Sequence, residues 1–262
     1  MNTLQRIPAV FFFEWRRALT IPRLAWMLAL MAFPPLLLLM LGSAAREDPP
    51  LEIAAILVYV LSPGVACMMS VFLWATPVLS AELEGRSWVY LAVRPYGPLA
   101  VLFGKYLVAI SWAVPVGLVS AAIGSIIIGP EPVARLVTVE CGLATLSCLS
   151  YAAVFLLIGV IIPKRAMVAG VLYAVVFEAG AALIPAAVNL FTIQYRLRCI
   201  LVRWMEMDVE SARGIPVFVA YFGEESATWH VAVLLGMTVG YLAAAALLLR
   251  FREFTSAAET DS

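Results

Sequence analysis

Tyr106–Ile128 reads YLVAISWAVPVGLVSAAIGSIII and contains no Asp, Glu, Lys or Arg. As an α-helix at 1.5 Å per residue it reaches about 35 Å, enough to cross the roughly 30 Å hydrocarbon core of a bilayer. A helix on the surface of a soluble protein keeps one polar face; this run leaves nothing for water. Five further runs of the same kind lie on either side of it, at Leu24–Leu41, Ile53–Leu79, Leu136–Ile162, Ala166–Val188 and His230–Leu249. Composition agrees. Of 262 residues, 64% are hydrophobic and 13% charged, against about 45–50% and about 25% in soluble domains. The expectation is an all-α membrane protein in which residues 1–262 form a single transmembrane domain, a six-transmembrane-helix bundle.

Charged or Pro/Gly-marked breaks separate the runs: Arg46–Glu52, Ala81–Lys105, Gly129–Arg135, Pro163–Arg165 and Asn189–Trp229. Pro34, Pro35, Pro63, Pro115 and Pro185 fall inside spans, where each removes a backbone donor and invites a kink that neighbouring helices can absorb. The first run has no small-residue cleavage site, so insertion is expected through the first span rather than a cleaved leader. Orientation follows the distribution of Lys and Arg. With the N-terminus in the cytoplasm, eleven of the 17 basic residues fall inside, the short Lys164–Arg165 turn among them. Both termini are therefore expected in the cytoplasm, with the protein in the cell (inner) membrane. The formal net charge is zero, which gives no field to attract nucleic acid. Cys67, Cys141, Cys148 and Cys199 have no metal-ligand spacing and read as small packing residues.

Two stretches carry helical periodicity without the length to span. Ala9–Thr20 places Phe11, Phe12, Trp15 and Leu19 on one stripe with Glu14, Arg16 and Arg17 away from it, the pattern of a helix lying in the membrane interface within residues 1–23. A plain extension of the first span is the competing reading, and Pro22 argues for a break. In the external loop 189–229, Leu190, Ile193, Leu197, Ile200, Leu201 and Trp204 recur at helical spacing, with Arg196 and Arg203 off that stripe. Gly214–Phe222 adds a short apolar piece. Both suit short re-entrant or capping helices, since irregular backbone at membrane depth needs protein cover.

Chemistry-bearing groups are few. There is no phosphate-binding Gly-x-x-x-x-Gly-Lys-Ser/Thr loop, so the chain is expected not to bind ATP through that motif, and it reads as no enzyme, with no cofactor or metal of its own. His230, at a span boundary, is the single histidine and reads as an interfacial residue. Glu178 falls mid-span, where a charge costs a few kcal/mol. Two readings stand side by side for it: a group on a polar pathway, or an interhelix hydrogen bond to Thr, Ser or Tyr that fixes packing. Glu140, nearer a span end, reads as interfacial. Gly236, Gly240 and Ala244 form a small-x-x-x-small ladder, expected to serve packing within the chain, with a dimer seam as the competing reading.

Leu79–Tyr106, LSAELEGRSWVYLAVRPYGPLAVLFGKY, is the longest cytoplasmic connection, residues 80–105. It reads as a short apolar helix flanked by glycine hinges, with Glu82, Glu84 and Arg86 before it and Arg94 and Lys105 after. Its order of residues, E-x-E-G-R-S…Y-L…R-P…G-K, resembles the cytoplasmic loop of ABC type-2 permeases. The matching positions are Glu82, Glu84, Gly85, Arg94, Pro95, Gly104 and Lys105, and Arg86–Ser87 stands where the family commonly has Thr. Glu14–Leu19 (EWRRAL) is similar to that family's elbow helix, and VLYAVVFEAG with the later YRLR is similar to its fifth span and external helix.

This resemblance implies a permease subunit of an ATP-driven exporter. A cytoplasmic coupling helix, including Trp88 and Tyr90, would dock on a separate ABC ATP-binding subunit that holds ATP and Mg. The elbow would comprise Glu14, Trp15, Arg16 and Arg17, and the external helices with Arg196, Arg198 and Arg203 would form an outer gate. A second permease copy, as homodimer or heterodimer, and membrane lipid are the other implied partners. The rival from another class is an ATP-independent secondary transporter, which would show inverted repeats and several intramembrane ionisable groups. A lipid-modifying membrane enzyme ranks last, for want of a His, Asp or Cys cluster at one interface.

Overall fold

Apolar segments with satisfied internal backbone bonds become helices, and every described element of the chain is helical. The computed structural model describes residues 3–44, 49–78, 97–130, 132–180, 187–207 and 225–251. In order these are α1 (Thr3–Ala18), α2 (Ile21–Ala44), α3 (Leu51–Ala75), α4 (Gly97–Ile128), α5 (Ala134–Ile161), α6 (Ala166–Leu172), α7 (Ile193–Trp204) and α8 (Ala227–Phe251). Five of them, α2, α3, α4, α5 and α8, are long and apolar enough to cross a bilayer. This is the architecture of a multi-pass membrane protein. The run expected as the fifth span is helical from Ala166 to Gly180, as α6 continued by a π-helical segment, Tyr173–Gly180; its remainder to Val188 is only partly described.

The bundle is centred on α4 and α5, with α3 packed against both, α2 and α1 on α4, and α8 and α7 on α5. The centre is close-packed because small residues face each other. A Cβ added at Gly117 of α4 would lie 2.5 Å from Cys67 Sγ of α3 and 3.2 Å from Ala144 Cβ of α5, so three backbones approach where only glycine fits. Among the described residues the largest fully buried side chains are Tyr151 and Phe155 of α5. The peripheral α2 and α8 turn Leu28, Leu36, Val239 and Leu247 outward, as helices facing lipid should.

The structure corrects several expectations. α4 is helical from Gly97 onward among the described residues, so Gly97–Lys105, the last part of the 80–105 connection, is helix continuous with the run that follows. The break before the first span falls at Leu19–Thr20, and Pro22 lies within the first turn of α2. Among the described residues nothing lies within 4 Å of a Cβ added at Gly236 or Gly240, and both glycines are exposed on α8 rather than packed against another described helix. Glu140, expected near a span end, is fully buried within the chain, two turns into α5.

The second span is not a uniform α-helix. Over Val60–Ala66 it widens to a π-helix, the Cys67 N–H reaching back to the Ser62 carbonyl. Pro63 accounts for this, since its ring cannot donate and would strike the carbonyl four residues earlier. The widened turn leaves the Pro63 and Gly64 carbonyls for other partners.

Candidate functional site

Those carbonyls open a polar layer inside the bundle. Ser147 of α5 donates to the Pro63 carbonyl at 2.6 Å, and Gln194 Nε2 of α7 donates to the Gly64 carbonyl at 3.2 Å. Ser120 of α4 donates to Ser62 Oγ at 2.8 Å. The Tyr59 hydroxyl donates to Gln194 Oε1 and lies 3.0 Å from the Gln194 carbonyl. Gln194 is thus clamped at both ends of its amide by the distorted turn of α3.

The same layer contains Glu178, 1% exposed, at the π-helical end of the α6 segment. Its Oε1 accepts from the Tyr173 hydroxyl at 2.5 Å and from the Ile193 N–H at 3.1 Å. Its Oε2 accepts from the Tyr151 hydroxyl and the Gln194 N–H, both at 3.0 Å. Ile193 and Gln194 are the first two residues of α7, and Thr192 caps the third N–H, that of Tyr195, at 3.2 Å. A helix start leaves such N–H groups unsatisfied and carries positive partial charge. Glu178 therefore acts as a cap supplied by another element, latching α7 into the bundle with four donors.

Two side chains hold the far end of α7. Arg135, at the start of α5, donates to the Trp204 carbonyl at 2.9 Å and pairs with Glu206 at 2.9 Å. Arg203 donates to the Glu225 carbonyl ahead of α8. Midway, Arg196 is buried, stacks on Tyr195 and donates to His230 Nδ1 at 3.2 Å, while His230 Nε2 lies 3.6 Å from Glu225. Arg198 is half-buried. Of the three arginines expected on gate helices, two thus anchor the helix to the start of α8. Burial pushes the Cys199 thiol up to about 11 and the Tyr195 hydroxyl up to about 12, so both stay neutral at physiological pH.

Glu140 is the group whose role the hydropathy pattern hides. Both its oxygens are buried and neither has a hydrogen-bond partner among the described residues. The signal that could have found it is its place in α5, four residues before Ala144, which faces Gly117 at the packed centre. Among the described residues no group of three His, Cys, Asp or Glu could hold a metal.

At the end of the bundle that carries α1, Glu14 is half-buried and lies 3.9 Å from Lys105 Nζ and 3.8 Å from Arg17. Lys105, grouped by sequence with the coupling residues, is itself buried on α4. Trp15 stacks on Trp112, and Trp112 on Trp74, with centroids 5.8 and 4.8 Å apart, and the Arg23 guanidinium lies 5.2 Å over Trp74. The bundle-facing stripe of α1 is Val10, Phe11, Glu14 and Ala18, whereas Phe12 and Phe13 are exposed. Glu14 belongs to the packed face that periodicity had assigned to aromatics, because Lys105 waits there to neutralise it. Arg16 is exposed. Glu82, Glu84, Gly85, Arg86, Trp88, Tyr90, Arg94 and Pro95 lie outside the described residues, as does Gly214–Phe222.

The fold and the polar layer define a multi-pass helical membrane protein with a short helix latched among its spans. Comparison with protein-family models, curated proteins and solved structures gives no match.

Proposed function

We propose that the chain is the permease subunit of an ATP-driven ABC exporter, a six-span bundle with both termini in the cytoplasm of a cell membrane. The reading rests on the ordered resemblance that runs from Glu14–Leu19 through E-x-E-G-R-S…R-P…G-K to YRLR. Two structural facts support it. An amphipathic α1 precedes the first span and lies along α4 at Gly104, Lys105 and Trp112, where an elbow would steady the helix that follows a coupling loop. A short helix, α7, sits at the other end of the bundle under the control of Glu178. Closure of ATP-loaded partner subunits would push the Glu82–Lys105 region, tilt α4, and open or close the pathway between this bundle and a second permease copy. Hydrolysis, with ATP and Mg, belongs to the partner. Mechanically, α7 and its arginines form the outer gate, and Glu178 holds it shut.

The test is a crosslink. Photo-crosslinkers placed at Trp88 and at Tyr90 should capture a soluble ATPase from the native host, and that ATPase should co-purify and hydrolyse ATP with the permease in liposomes. Capture of no ATPase at either position, with the protein folded, overturns the assignment.

A second reading has a specific observation behind it. Two buried carboxylates, Glu140 and Glu178, and two π-helical interruptions, Val60–Ala66 and Tyr173–Gly180, are features of carriers built from broken helices. Proton- or sodium-driven flux in liposomes without any ATPase, abolished by Glu140→Gln, would establish that secondary transporter instead.

A further inference from the structure

Glu140 borders the polar layer without joining it. On α5 it shares one face with Ser147 and Tyr151, seven and eleven residues on, and those two bond to the Pro63 carbonyl and to Glu178. Its neighbours fix its place across the bundle. α4 runs antiparallel to α5, with Cys141 Sγ 3.8 Å from the Leu118 carbonyl and Ala144 against Gly117, which sets Glu140 level with Ser120. Toward α3, a charge on Glu140 acts on Tyr59 and Cys67, the residues on either side of the widened turn; on α5 itself it acts on Cys141. Yet both carboxyl oxygens are buried without a hydrogen-bond partner among the described residues, and no basic group among them acts on Glu140. An ionised carboxylate left so in an apolar interior costs far more than a hydrogen bond returns, and such a group is neutralised by what it binds. A metal ion would need several oxygens at once, and those of the layer are bonded to one another: Ser120 to Ser62, Ser147 to Pro63, Gln194 to Gly64. A proton needs none of them.

The end of α7 lies beside this carboxyl. Arg135 holds the Trp204 carbonyl, and the Trp204 ring comes within 3.1 Å of where a Cβ on Gly142 would stand. The last turn of α7 thus runs along α5 across the level of Glu140. The exposed start of α5 is only about 9 Å from Glu140 at 1.5 Å per residue. We propose that Glu140 is a proton-binding site of the bundle, neutral in this arrangement, and that the last turn of α7 controls its exchange with water at the start of α5. Carboxyls inside a membrane recur in proton relays. The part given to α7 rests on its reading as a gate. The proton on Glu140 does not, and it requires binding rather than flux, so it stands under either reading of transport.

The test uses the purified full-length chain in lipid nanodiscs, read by infrared difference spectroscopy. Wild type minus Glu140→Gln should contain the carbonyl band of a protonated carboxylic acid, and that band should shift on transfer to deuterium oxide. Subtracting Glu140→Met instead should leave the same band, so the result does not hang on the folding of one variant. Arg135→Gln, which frees the Trp204 carbonyl, should keep the band and speed its shift about fivefold, the worth of one hydrogen bond. A carboxylate band in place of the acid band overturns the proton site, and a change in that carboxylate band on adding sodium would make it a metal site. A shift no faster in Arg135→Gln overturns the control by α7.

Discussion

Glu178 shows how much one residue can be asked to do. Its two oxygens each accept from one tyrosine hydroxyl and one backbone N–H, so no orientation of an amide could replace it. In Glu178→Gln the new NH₂ would face either Ile193 N–H or Gln194 N–H; the adjacent tyrosine can rotate its hydroxyl to accept, but the backbone donor cannot. One buried N–H loses its partner and the rest lose a charged acceptor, a loss of about 1.5–3 kcal/mol. Thermal unfolding in detergent should show Glu178→Gln destabilised by that order and Tyr173→Phe by less. An unchanged unfolding temperature for Glu178→Gln would refute the capping role. The contrasting case is Glu140, buried without a partner among the described residues. Glu140→Met keeps the length of the side chain and removes the desolvation penalty, so stability should rise by about 1 kcal/mol or more. A drop would mean that the carboxyl has a partner in the working assembly. Both acids are plain in a hydropathy reading, yet their partners are not. Tyr59, Tyr151, Tyr173 and Gln194 carry no pattern, because hydrogen bonds between distant helices leave no trace in local periodicity.

Among the elements, α1 and α4 depend on a single missing side chain. A Cβ at Gly104 would come within 2.7 Å of Val10 Cγ1 and 3.0 Å of Val10 Cβ, so Gly104→Ala must push α1 outward or shift α4. Overpacking of this kind costs about 1–3 kcal/mol. Because the clash is with one branched side chain, Val10→Ala in the same chain should restore most of the loss, a coupling that a double-mutant cycle in thermal stability would read. Additive effects would mean that α1 does not rest on Gly104. Sequence made Gly104 visible only as part of a motif; the reason for a glycine there is the approach of a helix some ninety residues earlier in the chain. The α1 helix itself was legible from its amphipathic periodicity, although its inward stripe was not, because Glu14 looks polar until Lys105 is set beside it. Likewise Pro63 announced a kink in α3, while the π-helical form it takes and the use of the exposed carbonyls by Ser147 and Gln194 depend on what α5 and α7 bring to that turn.

At the scale of the whole molecule, crossing the membrane is a statement about the two ends of α5. Its start is tied by Arg135 to the end of α7, which Arg203 links to the residues preceding α8. Its finish leads to the exposed Lys164–Arg165 turn, about 40 Å away at 1.5 Å per residue. Ser226→Cys and Lys164→Cys place thiols at these opposite ends, both at exposed positions. The native background is quiet, since Cys67, Cys148 and Cys199 are buried, Cys141 is partly buried, and Cys199 holds its proton to about pH 11 where maleimide needs thiolate. Basic residues favour the Lys164 end in the cytoplasm. A membrane-impermeant maleimide added to intact cells should therefore label Ser226→Cys and spare Lys164→Cys until the membrane is opened. The reverse pattern would invert the topology and place the Glu82–Lys105 segment beyond the reach of any cytoplasmic ATPase. Labelling of both from one side would deny that α5 crosses at all, and with it the bilayer as the solvent for this bundle.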